Sequence, residues 1–319
     1  MANTIYSESE HGIYSLIKKR VNERGLELKK IVEKSEDVFV VHTNKKRYVV
    51  KGFYNPEKLK AQKLLIKLLK ENGFINTYDF IDSFRSFAYD DTVYVWISFL
   101  RPARERFYFD SLSNRYAGLE LLESFHKTTA KFHKKISVNH FNQLSKWEDR
   151  WEEFNENIKR VEKYVDSDVI QTWLKWGDTA LTGLRKYEKD LYNEPSVINH
   201  GDVAHHNFFY TKDGTLNLID FDLINKAPPL IDYLQYANRI MPFIQDGEEL
   251  WQYRQLKVYN DNPAFLYALL FPADIFREWN RIVRERLYKD HGYLHSVWEM
   301  TVEELDHRLQ IYKDISKRL

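Results

Sequence analysis

The chain has 319 residues, is 43% apolar, and sets 48 basic against 47 acidic side chains for a net charge of +1. That balance offers no global field to draw nucleic acid or an anionic membrane, so neither is expected as a partner. With no cysteine, disulfides, thiolate metal sites and a cysteine nucleophile are excluded.

Met1 to Glu8 has no basic region followed by an apolar one, so a secretory signal is not expected. The longest apolar run, Ala264 to Phe271, is too short to span a bilayer and stops at Pro272. A soluble, cytoplasmic protein is expected. The 21 Tyr, 20 Phe and 8 Trp should mostly be core groups, because aromatic rings bury large areas.

Ile13, Leu16, Ile17 and Val21 recur at helical spacing and stop at Gly25, which suits a helix end. Three β-rich runs follow, Leu26 to Val32, Val38 to Thr43 and Arg47 to Phe53, and read as an antiparallel meander. Pro56 can begin a helix whose apolar face is Leu59, Ala61, Leu65, Leu68 and Leu69, ending at Asn72-Gly73. Strands at about Ser83 to Tyr89 and Thr92 to Ser98 complete the sheet.

After Phe99-Leu100-Arg101-Pro102 helical periodicity dominates. Helices are expected over Leu119 to His133, Trp147 to Tyr164 and Val169 to Leu191, with three or four more from Tyr233 to Leu319. The result is an α+β, two-lobed arrangement. Residues 1–101 form a small antiparallel β-sheet lobe, residues 102–319 a larger helical lobe, and a cleft lies between them.

The richest stretch is His200-Gly201-Asp202-Val203-Ala204-His205-His206-Asn207, followed after a turn by Leu218-Ile219-Asp220-Phe221-Asp222. Transfer of a terminal phosphoryl group needs a carboxylate for the accepting hydroxyl, oxygen ligands for Mg²⁺ and a cation on the nucleotide phosphates. Asp202 is the candidate base, and Asn207 and Asp220 are candidate Mg²⁺ ligands with hard oxygen donors. Val197-Ile198 reads as a strand into the loop, and Phe208 to Tyr210 with Leu216 to Ile219 as a hairpin turning at Lys212-Asp213-Gly214. That hairpin would bring Asn207 and Asp220 together. The competing account, an Asp and an Asn that only satisfy turn amides, fits each residue alone but not three at this spacing.

These residues resemble the aminoglycoside phosphotransferase and choline kinase branch of the protein-kinase-like fold. His200-Gly201-Asp202 with Asn207, and then Ile219-Asp220-Phe221, match that family's signatures. Asp222 stands where eukaryotic protein kinases carry glycine, and Pro229-Leu230-Ile231-Asp232-Tyr233 is similar to a further element of the family. The stretches His200 to Phe208, Leu218 to Leu223 and Asp232 through Asn238-Arg239 look most like spore-coat-associated, CotS-type kinase-like proteins.

The resemblance implies an ATP-dependent phosphotransferase acting on a hydroxyl of a small molecule such as an amino sugar or amino alcohol, or of a protein. It makes Lys51 the phosphate-contacting lysine and has Phe99 and Arg101, in the linker, offer backbone groups to adenine. His200 and Asp232 would support the catalytic loop. Gln62 occupies the position where a glutamate would pair with Lys51, and could hydrogen-bond that lysine instead. The link Glu33 to Asp37 lacks the glycines of a phosphate-hugging loop.

Two other readings stand beside this one. A weak or inactive kinase-fold scaffold, spore-associated and partnered by coat proteins, would account for the missing glycines. A metallohydrolase built on His200, Asp202, His205 and His206 has ligand-like spacing. Trp147 to Glu153 joins two indoles to four carboxylates and could attract a cationic or sugar-like acceptor, although an amphipathic helix with a packed Trp face explains it as well.

Overall fold

A computed structural model describes residues 12–319; the N-terminal stretch read above for a secretory signal lies outside the described residues. Helix α1 (Ile13–Glu23) is followed by Gly25 at a left-handed φ of 63°. Strands β1 (Leu28–Ser35), β2 (Val38–Thr43) and β3 (Arg47–Phe53) form the expected meander. Strand β1 runs past Val32, because Glu33 and Ser35 pair with Phe39 and Val38, so the acidic link shrinks to Glu36-Asp37. Helix α2 (Pro56–Glu71) is capped by Asn55, whose side chain accepts from the Glu57 and Lys58 amides at 2.9 and 3.2 Å. Strands β4 (Phe87–Tyr89) and β5 (Thr92–Ser98) complete a five-stranded antiparallel sheet in the order β1-β2-β3-β5-β4.

Helix α3 (Leu112–Ala130) begins before the expected Leu119 because Ser111 caps it, accepting from the Asn114 amide at 3.4 Å. Helix α4 (Gln143–Val161) likewise starts early, at the Asn142 cap. After α5 (Ser167–Tyr187) come β6 (Val197–Asn199), β7 (Phe208–Tyr210), β8 (Leu216–Leu218) and β9 (Asn225–Ala227).

The C-terminal region holds more helices than the three or four expected: α6 (Leu230–Ile240), α7 (Arg254–Lys257), α8 (Pro263–Leu269), α9 (Ala273–Glu285), α10 (His291–Val302) and α11 (Leu305–Ser316). Pro263, Pro272 and a left-handed Arg286 (φ 55°) cut one long periodic stretch into short pieces. Among the described residues no helix is long and apolar enough to cross a membrane.

Contacts divide the chain into two units. The first takes residues up to Phe107, Lys134–Val138 and the hairpin segment Asn207–Asp222; the second takes the remainder. In the first unit, alternation along the strands gives the sheet two different faces. Phe39, Val41, Tyr48, Val50, Tyr94 and Trp96 point to one side and pack with Ile17 and Val21 of α1. Phe84 stacks on Trp96 at 4.1 Å and Phe87 on Tyr94 at 5.3 Å, which adds aromatic contact to plain burial. Val38, Val40, Val49, Lys51 and Ile97 point to the other side and line a cavity. The β7–β8 hairpin joins this unit through the backbone, as the Ala103 amide donates to the Tyr210 carbonyl and that of Lys212 to the Arg101 carbonyl, each at 2.9 Å.

In the second unit, α8 is apolar all round and lies against α5, and Gly183 is what lets them approach. A Cβ there would fall 2.2 Å from the Tyr267 ring. Strand β6 pairs with β9 and leads into the loop that begins at His200.

Asp232, on the first turn of α6 and fully buried, holds that loop. Its carboxylate accepts from the His200 amide at 2.7 Å and the Gly201 amide at 3.0 Å, and bonds His126 Nε2 of α3 at 2.9 Å. Gly201 has a φ of 78°, and a Cβ on it would meet the Leu223 carbonyl at 2.1 Å, so no other residue fits.

Gly183→Ala should lower stability by about 1–3 kcal/mol in urea titrations, overpacking outweighing the better helix propensity of alanine. Asp232→Ala should cost more than about 2 kcal/mol, since each buried donor left unpaired costs about 1–3 kcal/mol. Asp232→Asn, which keeps one acceptor, should cost less in the same titration.

Candidate functional site

Lys51 lies at the centre of the polar cluster in the first unit. Its Nζ is 2.8 Å from Asp220 Oδ1 and 2.8 Å from Asp222 Oδ2. The lysine side chain is 14% exposed while the two carboxylates are 44% and 45% exposed, so the acids keep faces open for further partners. Burial works against the lysine charge, but the two carboxylates outweigh it and hold the Lys51 pKa above its usual value. Asp222 shows the converse: burial pushes its pKa up, and the Lys51 charge with the Lys51 and Gln62 hydrogen bonds brings it below the ordinary range.

Gln62 does not take the lysine as its partner. Its Nε2 donates to Asp222 Oδ1 at 2.8 Å. Glu57, the nearest glutamate in sequence, is on the exposed first turn of α2. The anion opposite Lys51 therefore comes from the segment after β8 and not from α2. Asp222 is the site residue that the sequence reading passed over, treating it only as a replacement for glycine. The signal was present: a lysine with glutamine at its partner position needs another carboxylate, and Asp222 is two residues past Asp220.

Asp220 itself has a φ of 65°, a strained value for a residue with a Cβ. The Ile219 amide donates to the Asn207 carbonyl at 3.0 Å, which draws the two ends of the hairpin together as expected. Asn207 is buried.

The cavity beside this cluster has a volume of about 660 Å³; Val40, Val49, Ile97, Phe99 and Phe209 form apolar walls, and Lys51 and Asp220 add charge. Arg101, expected among the nucleotide-side residues, does not line it. Arg101 borders a separate hollow with Lys46 and Arg47, and its carbonyl is taken by Lys212. The Glu36-Asp37 turn is pinned: Asp37 accepts from the hydroxyls of Tyr54 and Tyr94, both at 2.5 Å, and its carbonyl accepts from the Gly52 amide at 2.8 Å.

In the second unit, His200 is fully buried and its Nδ1 accepts from the Asp202 amide at 3.4 Å. His200 is thus part of the loop's internal wiring. His205 stacks on Tyr108 at 5.4 Å and borders a cavity of about 600 Å³, and its pKa is lowered first by burial and then by the His206 and Arg239 charges. The charge of Asp202 acts on Lys146 and Arg239, both in that cavity's wall.

The metallohydrolase reading loses its basis here. Among the described residues no three His, Cys, Asp or Glu side chains converge to hold a metal, and the buried His200 is engaged with backbone. The tryptophan-rich stretch of α4 is largely packed, although Trp147 and Arg150 also border the second unit's cavity. Trp147 is buried and stacks on Phe271 at 4.5 Å, while Glu148 and Glu153 pair with Arg185 and Arg284. Trp173 is buried too, donating to the Thr301 carbonyl at 3.0 Å, and Trp176 meets Tyr312 edge-on at 5.1 Å.

No curated protein matches the sequence. Among solved structures, an aminoglycoside phosphotransferase from Alicyclobacillus acidocaldarius is similar over 91% of this chain and 92% of its own, at 15% identity and a TM-score of 0.70. Choline kinase LicA from Streptococcus pneumoniae is similar over 92% of this chain and 99% of its own, at 15% identity and a TM-score of 0.52. Spectinomycin phosphotransferase APH(9)-Ia, solved with ADP and spectinomycin, is similar over 96% of this chain and 98% of its own, at 12% identity and a TM-score of 0.59. These neighbours show the kinase-like α+β fold. The phosphotransferase enzyme family, APH, matches residues 27–269, which include both Lys51 and the loop from His200 to Asp222. The chain therefore belongs to the APH phosphotransferase enzyme family.

Proposed function

We propose that this protein moves the γ-phosphoryl group of ATP to a hydroxyl of a small molecule, with residues 1–101 clamping the nucleotide and residues 102–319 carrying catalysis and acceptor binding. The observation that supports it most is the pairing of Lys51 with Asp220 and Asp222, at 2.8 Å each, beside an apolar-walled cavity. A lysine held charged in that position is ready to exchange a carboxylate for phosphate oxygens.

Asp202 accepts the proton of the acceptor hydroxyl. The hydroxyl oxygen then bonds to the γ-phosphorus as the bond from phosphorus to the β–γ bridging oxygen breaks, and the electron pair leaves with ADP. Lys51 donates to phosphate oxygens, and the backbone of Phe99 and Leu100 meets the adenine edge. Asn207, Asp220 and Asp222 offer amide and carboxylate oxygens, a donor set that suits Mg²⁺. When bound, Mg²⁺ would neutralise charge on the β- and γ-phosphates. Gln62 keeps Asp222 oriented if Lys51 turns toward phosphate. His200 and Asp232 are positioning residues that fix the loop carrying Asp202.

The neighbours named for aminoglycosides, spectinomycin and choline make an amino sugar or amino alcohol the starting point for an acceptor screen. A protein acceptor, a cytoplasmic or spore-associated location and coat-protein partners belong to the same proposal through the CotS-type resemblance. One observation favours a second reading, a catalytically weak or inactive spore-coat scaffold. The turn between β1 and β2 has no glycine, and the carboxylate of its Asp37 is tied to the hydroxyls of Tyr54 and Tyr94, so the turn lacks the backbone freedom to wrap phosphates.

Thermal melting with and without millimolar Mg·ATP separates these readings. An upward shift is expected for the wild type and its loss for Asp220→Ala, whereas an unmoved wild-type melting point favours the scaffold. Asp202→Asn should leave the Mg·ATP shift intact and lower the rate of transfer about 100-fold or more in an ADP-release assay. Unchanged turnover in that variant would remove Asp202 from the role of base.

A further inference from the structure

The cavity of the second unit is crowded with cations. Lys146, Arg150, Arg239, Arg277 and Arg308 all line it. Two of them are matched by carboxylates: Arg308 pairs with Asp274 and Glu304 at 2.9 Å each, and the Arg277 Nε donates to Glu278 at 2.6 Å. Those pairs engage three of the four acids in the wall. The fourth, Asp110, is exposed. Among the described residues, Lys146, Arg150 and Arg239 form no ion pair. Arg150 donates to the Ala273 carbonyl at 3.0 Å, and Lys146 lies over the Phe141 ring at 5.0 Å.

Cations held in a concave protein wall lose much of their hydration, and that cost needs an anion to offset it. The titration behaviour agrees with the geometry. Burial first, and the neighbouring Arg277 second, lower the pKa of Arg239 and bring that of Arg150 down to about 10. Lys146 is open to the cavity but walled on several sides; burial followed by the charges of Arg150 and Arg277 brings it down to about 8. The charge of Asp202 counters this for both Lys146 and Arg239, and His205 of the same loop lines the cavity. A cationic acceptor would meet three positive charges that stand outside any ion pair and would be repelled. An anionic one would be attracted, and the flat guanidinium forks of Arg150 and Arg239 suit the paired oxygens of phosphate or carboxylate.

We infer that the acceptor is an anionic hydroxyl compound, whose phosphate or carboxylate group is held by Arg239, Arg150 and Lys146 while its hydroxyl faces Asp202. This inference rests on the assignment of Asp202 as the base and replaces the amino-sugar starting point with the opposite charge class.

Isothermal titration of the full chain without nucleotide tests it, with inorganic phosphate and glycerol 3-phosphate as the phosphate arm, glycerate as the carboxylate arm, and choline and kanamycin as the cationic arm. The expected result is binding in at least one anionic arm, weakening as salt is raised and falling about tenfold or more in Arg239→Gln. Arg150→Gln should show the same loss; melting curves of both variants confirm that they fold, and Arg239→Lys should recover part of the affinity. No binding in either anionic arm, or choline or kanamycin binding more tightly than every anion, overturns the inference. The Mg·ATP melting shift is read separately. If it persists while the anionic arms fail, the charge class is wrong and phosphotransfer stands. If it is absent while anions bind, the anion site stands, and the phosphotransfer reading fails together with the acceptor role built on it.

Discussion

A fully buried carboxylate is costly unless each oxygen finds donors, and Asp232 finds three: the amides of His200 and Gly201 and the ring of His126. That requirement ties α6, α3 and the loop after β6 into one polar knot. It also explains the local chemistry around it. Gly201 must be glycine because its backbone turns at positive φ directly against the Leu223 carbonyl, and His200, whose amide is one of the donors, is fully buried beside it. The loop bearing Asp202 is held by side chains that are themselves buried, Asp232 and His126.

The first unit solves a different problem, that of keeping a lysine charged on the inner face of a sheet. Alternation along β3 directs Tyr48 and Val50 into the aromatic core and Val49 and Lys51 into the cavity, so the ammonium leaves bulk water along with its strand. Asp220 and Asp222 restore the balance. With glutamine instead of glutamate on α2, the negative charge is gathered onto the segment after β8. Gln62 then serves that segment by fixing Asp222. The charge pattern of the second unit's cavity runs the other way, with arginines and a lysine in excess of the acids that pair with them.

Much of the fold was legible because its signals are local. Pro56 marks the start of α2, β-branched and aromatic runs mark β2 and β3, and the apolar runs flanking Lys212-Asp213-Gly214 mark the β7–β8 hairpin. Boundaries failed where a cap outweighed periodicity, as at Ser111 and Asn142, or where one periodic stretch was cut by a proline or a left-handed residue, as at Pro272 and Arg286. The length of β1 was missed for another reason. Its last residues are polar, and only their pairing with β2 makes them strand.

The family was readable from the linear chain, because the residue types and spacings of the loop from His200 to Asp222 lie within one short stretch. Tertiary structure alone decided which groups meet across long separations. Gln62 faces Asp222 and not Lys51, Arg101 is turned away from the cavity, and Lys146, Arg150 and Arg239 gather around one pocket from α4 and α6. The physical reason is that a charge–charge contact depends on distance in space, which a linear pattern does not record, while a turn or a strand is written in the backbone preferences of its own residues.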